Sequence, residues 1–141
     1  MQYFNTLKFG GIISKLIHNK LIRRYGIFVS PSCSIGIGLR IYHPTSIVIT
    51  NAVIGDNFTI FQNCTIGQKY AGKDGYGMVP NIGNNCSMYA GSSIIGNVKV
   101  TDGVTIGVHA CLLRDAIEPG IYLGTPAKKT LIKIISKLII W

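Results

Sequence analysis

Aliphatic side chains recur every six residues through most of this chain, and that period limits the possible folds more than any other feature. The series comprises Ile54, Ile60, Ile66, Ile82, Met88, Ile94, Val100, Ile106 and Leu112. A period of six fits neither the α-helix nor plain strand alternation, but it is typical of one flat face of a triangular parallel β-helix. Three faces make a coil of about eighteen residues. The sequence therefore predicts an all-β domain over residues 27–126 with about four coils.

The residue two positions before each aliphatic residue is usually small, and three of the four cysteines lie there. We expect Cys33, Cys64 and Cys86 to point inward near the corners, where a free thiol acts as a small hydrophobe. A disulfide or a metal site is the alternative. The turns, such as Gly-Asp-Asn at 55–57 and Asp-Gly at 102–103, contain residues that tolerate a positive φ.

The period breaks twice, and irregular segments on a regular scaffold are where functional residues concentrate. Ile35 and Ile41 are followed by Val48, which indicates one extra residue within Tyr42–Ser46. Ile66 and Ile82 are sixteen residues apart, which indicates ten extra residues in a polar, glycine-rich loop within 68–81. We expect this loop to cover a ligand.

Positive charge is concentrated at the two ends of the chain. The formal net charge is +9, and the excess lies in residues 1–26 and 127–141, which contain no Asp or Glu. We predict amphipathic helices within 1–26, separated at Gly10-Gly11, and a basic amphipathic helix within 127–141 that starts at Thr130. These helices either only cap the prism or also bind a membrane surface. The neutral middle argues against nucleic-acid binding.

The chain contains no apolar stretch long enough to span a bilayer and no continuous apolar leader segment. We therefore expect a cytoplasmic protein, peripheral at the inner face of the membrane if its terminal helices bind lipid.

Several stretches resemble the hexapeptide-repeat acyltransferases, in the serine acetyltransferase-like branch and especially its short polysaccharide-biosynthesis O-acetyltransferases. They are Ser30-Pro31, Ile35-Gly36-Ile37-Gly38, Tyr42-His43-Pro44, the segment 60–67, Ile95-Gly96-Asn97-Val98 and Gly124-Thr125-Pro126-Ala127. The resemblance implies a left-handed β-helix, a homotrimer, acetyl-CoA in a groove between subunits, and no metal.

The same resemblance assigns His43 as the catalytic general base. An imidazole titrates near neutrality, so it can take a hydroxyl proton during attack and return it to the leaving thiolate. A packed structural histidine is the alternative interpretation.

Four positions depart from the family pattern for reading serine. Phe28 replaces an aspartate that orients the histidine, Tyr42 replaces an acid that holds the serine amino group, and Met78 and Val79 replace an Arg-His pair. Because apolar residues would leave the charges of a zwitterion unpaired, we expect a glycan hydroxyl as the acceptor, either free or lipid-linked. Tyr42, Tyr70 and Tyr76 could stack on a sugar, and Asp74 or a backbone carbonyl could orient His43.

For acetyl-CoA, the resemblance points to backbone amides and to basic residues. The corresponding positions are Gly67, Ala90, Gly91 and Val108 for the amides and Lys128 and Lys129 for the phosphates. Gln62 either positions the acceptor or His43, or is structural. We expect His18 to be solvated and His109 to be a surface or inter-subunit residue. The predicted activity is glycan O-acetylation, with serine O-acetylation and a non-catalytic scaffold as alternatives.

Overall fold

A computed structural model of the chain describes residues 8–68 and 79–130, which form one helix followed by short strands. In chain order the elements are α1 (Lys8–Tyr25), β1 (Phe28–Val29), β2 (Ser34–Ile35), β3 (Arg40–Ile41), β4 (Val48–Ile49), β5 (Val53–Ile54), β6 (Thr59–Ile60), β7 (Thr65–Gly67), β8 (Asn81–Ile82), β9 (Ser87–Met88), β10 (Ser93–Ile95), β11 (Lys99–Val100), β12 (Val104–Ile106), β13 (Cys111–Leu112), β14 (Gly120–Leu123) and β15 (Lys128–Thr130).

The strands stack into three sheets that form the faces of a triangular prism. Sheet I has the order β1-β4-β7-β10-β13, sheet II β2-β5-β8-β11, and sheet III β3-β6-β9-β12-β14-β15. Successive strands enter successive sheets, so three strands make one coil. Four coils are complete, and in a fifth, sheet II is reduced to a bridge between Val100 and Ala116. The predicted left-handed β-helix of about four coils is confirmed.

The aliphatic series of the sequence fills the interior of the prism. Ile54, Ile66 and Ile94, for example, are at most 2% exposed. Cys64 and Cys86 are also buried and Cys33 is half-buried, and all three are free thiols, as predicted. Cys111, for which the sequence made no prediction, is a free thiol as well. Burial raises the pKa of the Cys33 and Cys86 thiols, which keeps both protonated near neutral pH.

The first break in the repeat is larger than the sequence period indicated. Ile49, not Val48, pairs with Ile66, so the corner after Ile41 holds two extra residues instead of one. The prediction was wrong because Ile47, Val48 and Ile49 are all aliphatic, and the six-residue count selected the wrong member. Ile47 is fully buried in the inward position that Cys64 takes one coil later.

The ends of the chain differ from the predictions in two places. Helix α1 continues through Gly10-Gly11, since two glycines weaken a helix by about 1 kcal/mol each without removing its hydrogen bonds. Residues 128–130, predicted as part of the C-terminal helix, instead form β15, which pairs antiparallel with the edge strand β14. Residues 131–141 lie outside the described part of the chain. Within that part, no helix is long and apolar enough to cross a bilayer.

The predicted loop begins on the connection from sheet I to sheet II in the third coil. The chain leaves β7 at Gln68 and is described again from Val79, immediately before β8. Residues 69–78 lie outside the described residues, and Asn81 already belongs to β8.

Candidate active site

The corner at which each coil turns from sheet III to sheet I, here called the III/I corner, brings together most of the predicted site residues. His43, Gln62, Ala90 and Val108 each occupy the second position of this turn, in coils one to four respectively. Stacked parallel strands lie about 4.8 Å apart, so the four residues form a column about 14 Å long. Two of them, His43 and Val108, are exposed.

The backbone amides along this column have a consistent pattern. The first residue of each turn donates to the next coil, as from Phe61 N to Met88 O at 3.0 Å. The third residue donates to the preceding coil, as from Gly91 N to Gln62 O at 3.0 Å. The second residues, Gln62, Ala90 and Val108, have amides without a hydrogen-bond acceptor among the residues that the structure describes. A row of unpartnered N–H groups is suited to donating hydrogen bonds to carbonyl oxygens or anionic groups of a ligand.

His43 is exposed at the lower end of this row. Its backbone has a φ of 52°, a left-handed conformation that is uncommon for a residue other than glycine. The two inserted residues make this tight turn, which the Thr45 amide closes by donating to His43 O at 2.7 Å. Among residues 8–68 and 79–130, no carboxylate or carbonyl accepts a hydrogen bond from the imidazole.

A ladder of three aromatic rings lies beside His43. Tyr42, Phe61 and Tyr89 follow β3, β6 and β9, and their rings stack with centroids 5.0 and 4.8 Å apart. The imidazole of His43 is 6.3 Å from the Phe61 ring. Of the three, only Tyr42 was predicted as a site residue; the recurrence of an aromatic residue immediately after Ile41, Ile60 and Met88 was the signal for the other two.

Gln62 contributes the one buried polar side-chain atom that lacks a partner among the described residues. Its Oε1 accepts no hydrogen bond there. Because an unpaired buried acceptor costs about 1–3 kcal/mol, the atom is suited to a donor group of a ligand or of residues outside the described part.

Gly91 has a steric role in this structure. It adopts a φ of 70°, and a Cβ at this position would overlap the imidazole of His109 in the coil above. The side chain of His109 therefore occupies the space that the glycine provides. His109 itself is exposed, as predicted, and has a φ of 54°.

The remaining predicted site residues lie away from the III/I corner or outside the described residues. Gly67 ends β7 where sheet I turns to sheet II, and Lys128 and Lys129 lie on β15. Lys129 pairs with Glu118, which lowers the pKa of that carboxyl. Phe28 packs edge-on against His18 of α1, 5.4 Å between ring centroids. Asp74, Tyr76, Tyr70 and Met78 lie in the segment 69–78, outside the described residues.

No group of three or more His, Cys, Asp or Glu side chains with metal-binding geometry occurs among the described residues.

Comparison with known proteins identifies relatives of this β-helix. The chain is 33% identical over 118 residues to "Serine acetyltransferase 3, mitochondrial" of Arabidopsis thaliana, covering 83% of this chain and 30% of that protein. It is 37% identical over 102 residues to a serine acetyltransferase of Staphylococcus epidermidis, covering 72% of this chain and 47% of that protein. The chain thus spans less than half the length of these relatives. No protein-family model matches it.

Solved structures give the same result. A serine acetyltransferase of Neisseria gonorrhoeae aligns with a TM-score of 0.73 and 27% identity, covering 85% of this chain and 46% of that one. A soybean serine acetyltransferase solved in complex with serine aligns with a TM-score of 0.73 and 29% identity, covering 84% and 48%. The resemblance to the hexapeptide-repeat acyltransferases, in the serine acetyltransferase-like branch, is confirmed.

These relatives contradict the predicted glycan acceptor, because they are serine acetyltransferases, the stated alternative. The closer likeness to polysaccharide O-acetyltransferases is likewise unsupported. The prediction failed because it treated the missing charges at Phe28, Tyr42, Met78 and Val79 as evidence for a different acceptor. Those positions show which contacts are absent, but other groups in a site can hold a charged substrate.

Proposed function

We propose that this chain is an acetyl-CoA-dependent O-acetyltransferase whose acceptor is the hydroxyl of L-serine and whose general base is His43. The observation that carries the proposal is the exposed imidazole at the end of a row of unpartnered amides, in a chain whose relatives are serine acetyltransferases.

The proposed reaction uses His43 as a proton carrier. The imidazole takes the proton of the serine hydroxyl as its oxygen attacks the thioester carbonyl. The new C–O bond forms, the C–S bond breaks, and the proton passes to the leaving thiolate to give CoA and O-acetylserine. An amide of Gln62 or Ala90 donates to the oxyanion of the tetrahedral intermediate, and the other amides of the row hold the pantetheine arm. Gly67, Lys128 and Lys129 are kept as predicted contacts for the remainder of the cofactor.

The ammonium group of serine is assigned to the outer face of Tyr42 in this proposal. Tyr42 provides the lowest ring of the aromatic ladder. It stacks on Phe61 and is 49% exposed. An aromatic face attracts a cation by about 0.5–2 kcal/mol, and the unpaired Gln62 Oε1 supplies an acceptor for an N–H or O–H donor. Together these groups could replace part of what a carboxylate at position 42 would contribute.

We further propose a homotrimer in which the loop of one subunit completes the site of the next. This is supported by the separation of the two features within one copy, since His43 lies at the III/I corner while the loop leaves from the sheet I to sheet II connection. A loop that covers His43 is more easily supplied by a neighbouring copy.

The test is CoA release from acetyl-CoA with L-serine, comparing wild type with His43→Asn and His109→Asn. Asn tolerates the left-handed backbone of both histidines, and both are exposed at the same corner, so the pair is matched. We expect His43→Asn to lose about 100-fold or more of the turnover, the range for removal of a general base, and His109→Asn to retain it. Equal activity of the two variants, or no serine-dependent release by wild type, would overturn the proposal.

Measurement of acetyl-CoA binding distinguishes a non-catalytic scaffold from an enzyme with a different acceptor. A non-catalytic scaffold predicts no binding by wild type, whereas an enzyme with another acceptor predicts binding without serine-dependent release.

A further inference from the structure

Helix α1 leaves a stripe of apolar side chains in solvent. Ile13, Leu16 and Ile17 are 48%, 63% and 48% exposed and are spaced at i, i+3 and i+4, which places them on one face. The adjoining side of the helix contacts the β-helix, where Leu21, one turn after Ile17, packs against the core and His18 meets Phe28. The exposed fractions of Ile13, Leu16 and Ile17 show that the stripe itself lies outside this contact in the part of the chain that the structure describes.

The same stripe continues with positive charge. Lys20 and Arg24 follow at the same helical spacing, and Arg23 lies beside them on the outer side. The helix contains no Asp or Glu. Among the described residues, the sole ion pair joins Lys129 to Glu118, so none of these three cations is neutralised there by a carboxylate contact.

We propose that this face of α1, comprising Ile13, Leu16, Ile17, Lys20 and Arg24, binds an anionic phospholipid surface with the helix parallel to the membrane plane. Exposed aliphatic side chains and cations on one helical face are typical of interfacial helices, since the apolar groups enter the acyl boundary while long basic side chains reach the headgroups. This proposal is independent of the catalytic one.

The positive charge of this α1 face favours a membrane over other binding partners. A second copy of the same face would bring like charges together, and the segment 131–141 contributes Lys133 and Lys137 without an acid. A nucleic acid would satisfy the cations but would leave Ile13, Leu16 and Ile17 without an apolar partner. An anionic lipid surface complements both components.

Vesicle flotation of the full chain tests this proposal. We expect wild type to float with phosphatidylcholine vesicles that contain phosphatidylglycerol, and much less with phosphatidylcholine alone. Lys20→Gln combined with Arg24→Gln should weaken binding by roughly fivefold for each charge removed. Leu16→Gln combined with Ile17→Gln should weaken it at least as much, and Gln retains good helix propensity.

The matched control changes one exposed aliphatic residue and one cation far along the chain, Ile117→Gln with Arg114→Gln on the fifth coil. This control should float like wild type, and all variants should keep the wild-type circular dichroism spectrum. Absence of wild-type flotation, equal binding to neutral vesicles, or undiminished binding of both α1 variants would overturn the proposal. So would a change in oligomeric mass of the Leu16→Gln/Ile17→Gln variant without vesicles, which would identify the face as a contact between copies.

Discussion

At the scale of single residues, Tyr42 is the position at which this chain differs most informatively from the pattern it resembles. Its ring stacks on Phe61 and its outer face is open, so its proposed contribution to serine binding is through the ring rather than the hydroxyl. Tyr42→Phe should therefore leave the KM for serine near wild type. Tyr42→Leu should raise that KM by about 2- to 30-fold, the equivalent of 0.5–2 kcal/mol. Steady-state kinetics with varied serine measures both, and equal KM values for the two variants would contradict the assignment.

The unpartnered amide of Ala90 allows one backbone group to be removed with little structural cost. Ala90→Pro deletes that N–H, which donates to no described acceptor, and Ala90 does not have a positive φ. We expect acetyl-CoA to bind about 3- to 10-fold more weakly because one hydrogen bond of about 1 kcal/mol is lost. Ala90→Val keeps the N–H and serves as the control. Calorimetric titration of both variants gives the result, and unchanged affinity in a folded Ala90→Pro protein would remove this amide from the site.

Some residues of the candidate site could be picked out from the sequence, and others could not. His43 was singled out as a candidate because it lies at a break in the repeat, and its role stays a prediction. The aromatic ladder was missed because Phe61 and Tyr89 become neighbours only when the coils stack, and their separation of 28 residues includes the long loop. Gly91 was predicted only as a backbone-amide contact for acetyl-CoA, and the structure adds that its missing side chain leaves room for the His109 ring.

At the scale of the coil, a ladder of polar side chains ties each turn after sheet II to the turn before it. Asp56 Oδ1 accepts from Ile37 N at 2.9 Å, Asn84 Oδ1 from Asp56 N at 2.8 Å, and Asp102 Oδ1 from Asn84 N at 2.8 Å. The glycines at 36, 55 and 83 make room for these side chains. Their place in the repeat is thus explained by close approach of the next coil and not by a positive φ, which Asn57 and Asn85 adopt instead.

A stability prediction follows for Gly83. A Cβ at this position would overlap Asp102 Oδ1 and would lie 2.8 Å from Asp102 N. We expect Gly83→Ala to lower the free energy of unfolding by about 1–3 kcal/mol, as overpacking does. In Gly67→Ala the nearest contact is the flexible end of Ile95 at 3.2 Å, so this control should lose less. Denaturant unfolding measures the free energy of unfolding of both variants. An equal loss in the two would contradict the steric requirement of the polar ladder of Asp56, Asn84 and Asp102.

Element boundaries were predictable where the period is uninterrupted and unreliable at the ends. The inward residues from Ile54 to Ile66 and from Ile82 to Leu112 made the coils predictable, because burial in a narrow prism demands the same residue class at each turn. Strand β15 was missed because its alternation is too short to compete with a helical pattern, and pairing with the open edge of β14 decides its conformation.

At the scale of the whole molecule, the proposed trimer makes the loop and His43 parts of one site from two copies. Co-expression of a His43→Asn chain with a chain in which residues 69–78 are replaced by a short Gly-Ser linker tests this directly. Each variant alone should be inactive, whereas mixed trimers isolated through two different affinity tags should regain part of the activity. Mixed trimers without recovered activity would show that each copy builds its own complete site.

Acetyl transfer to serine with His43 as the general base can be tested by tracking the acetyl group. Acetyl-CoA labelled with ¹³C at the acetyl carbonyl is incubated with L-serine, and the carbonyl resonance is monitored by NMR in wild type and His43→Asn. With wild type, we expect the label to move from the thioester to an ester on the serine oxygen; with His43→Asn, we expect it to remain in the thioester. Label that stays in the thioester with wild type, appears as acetate, or reaches serine equally fast in His43→Asn would contradict it.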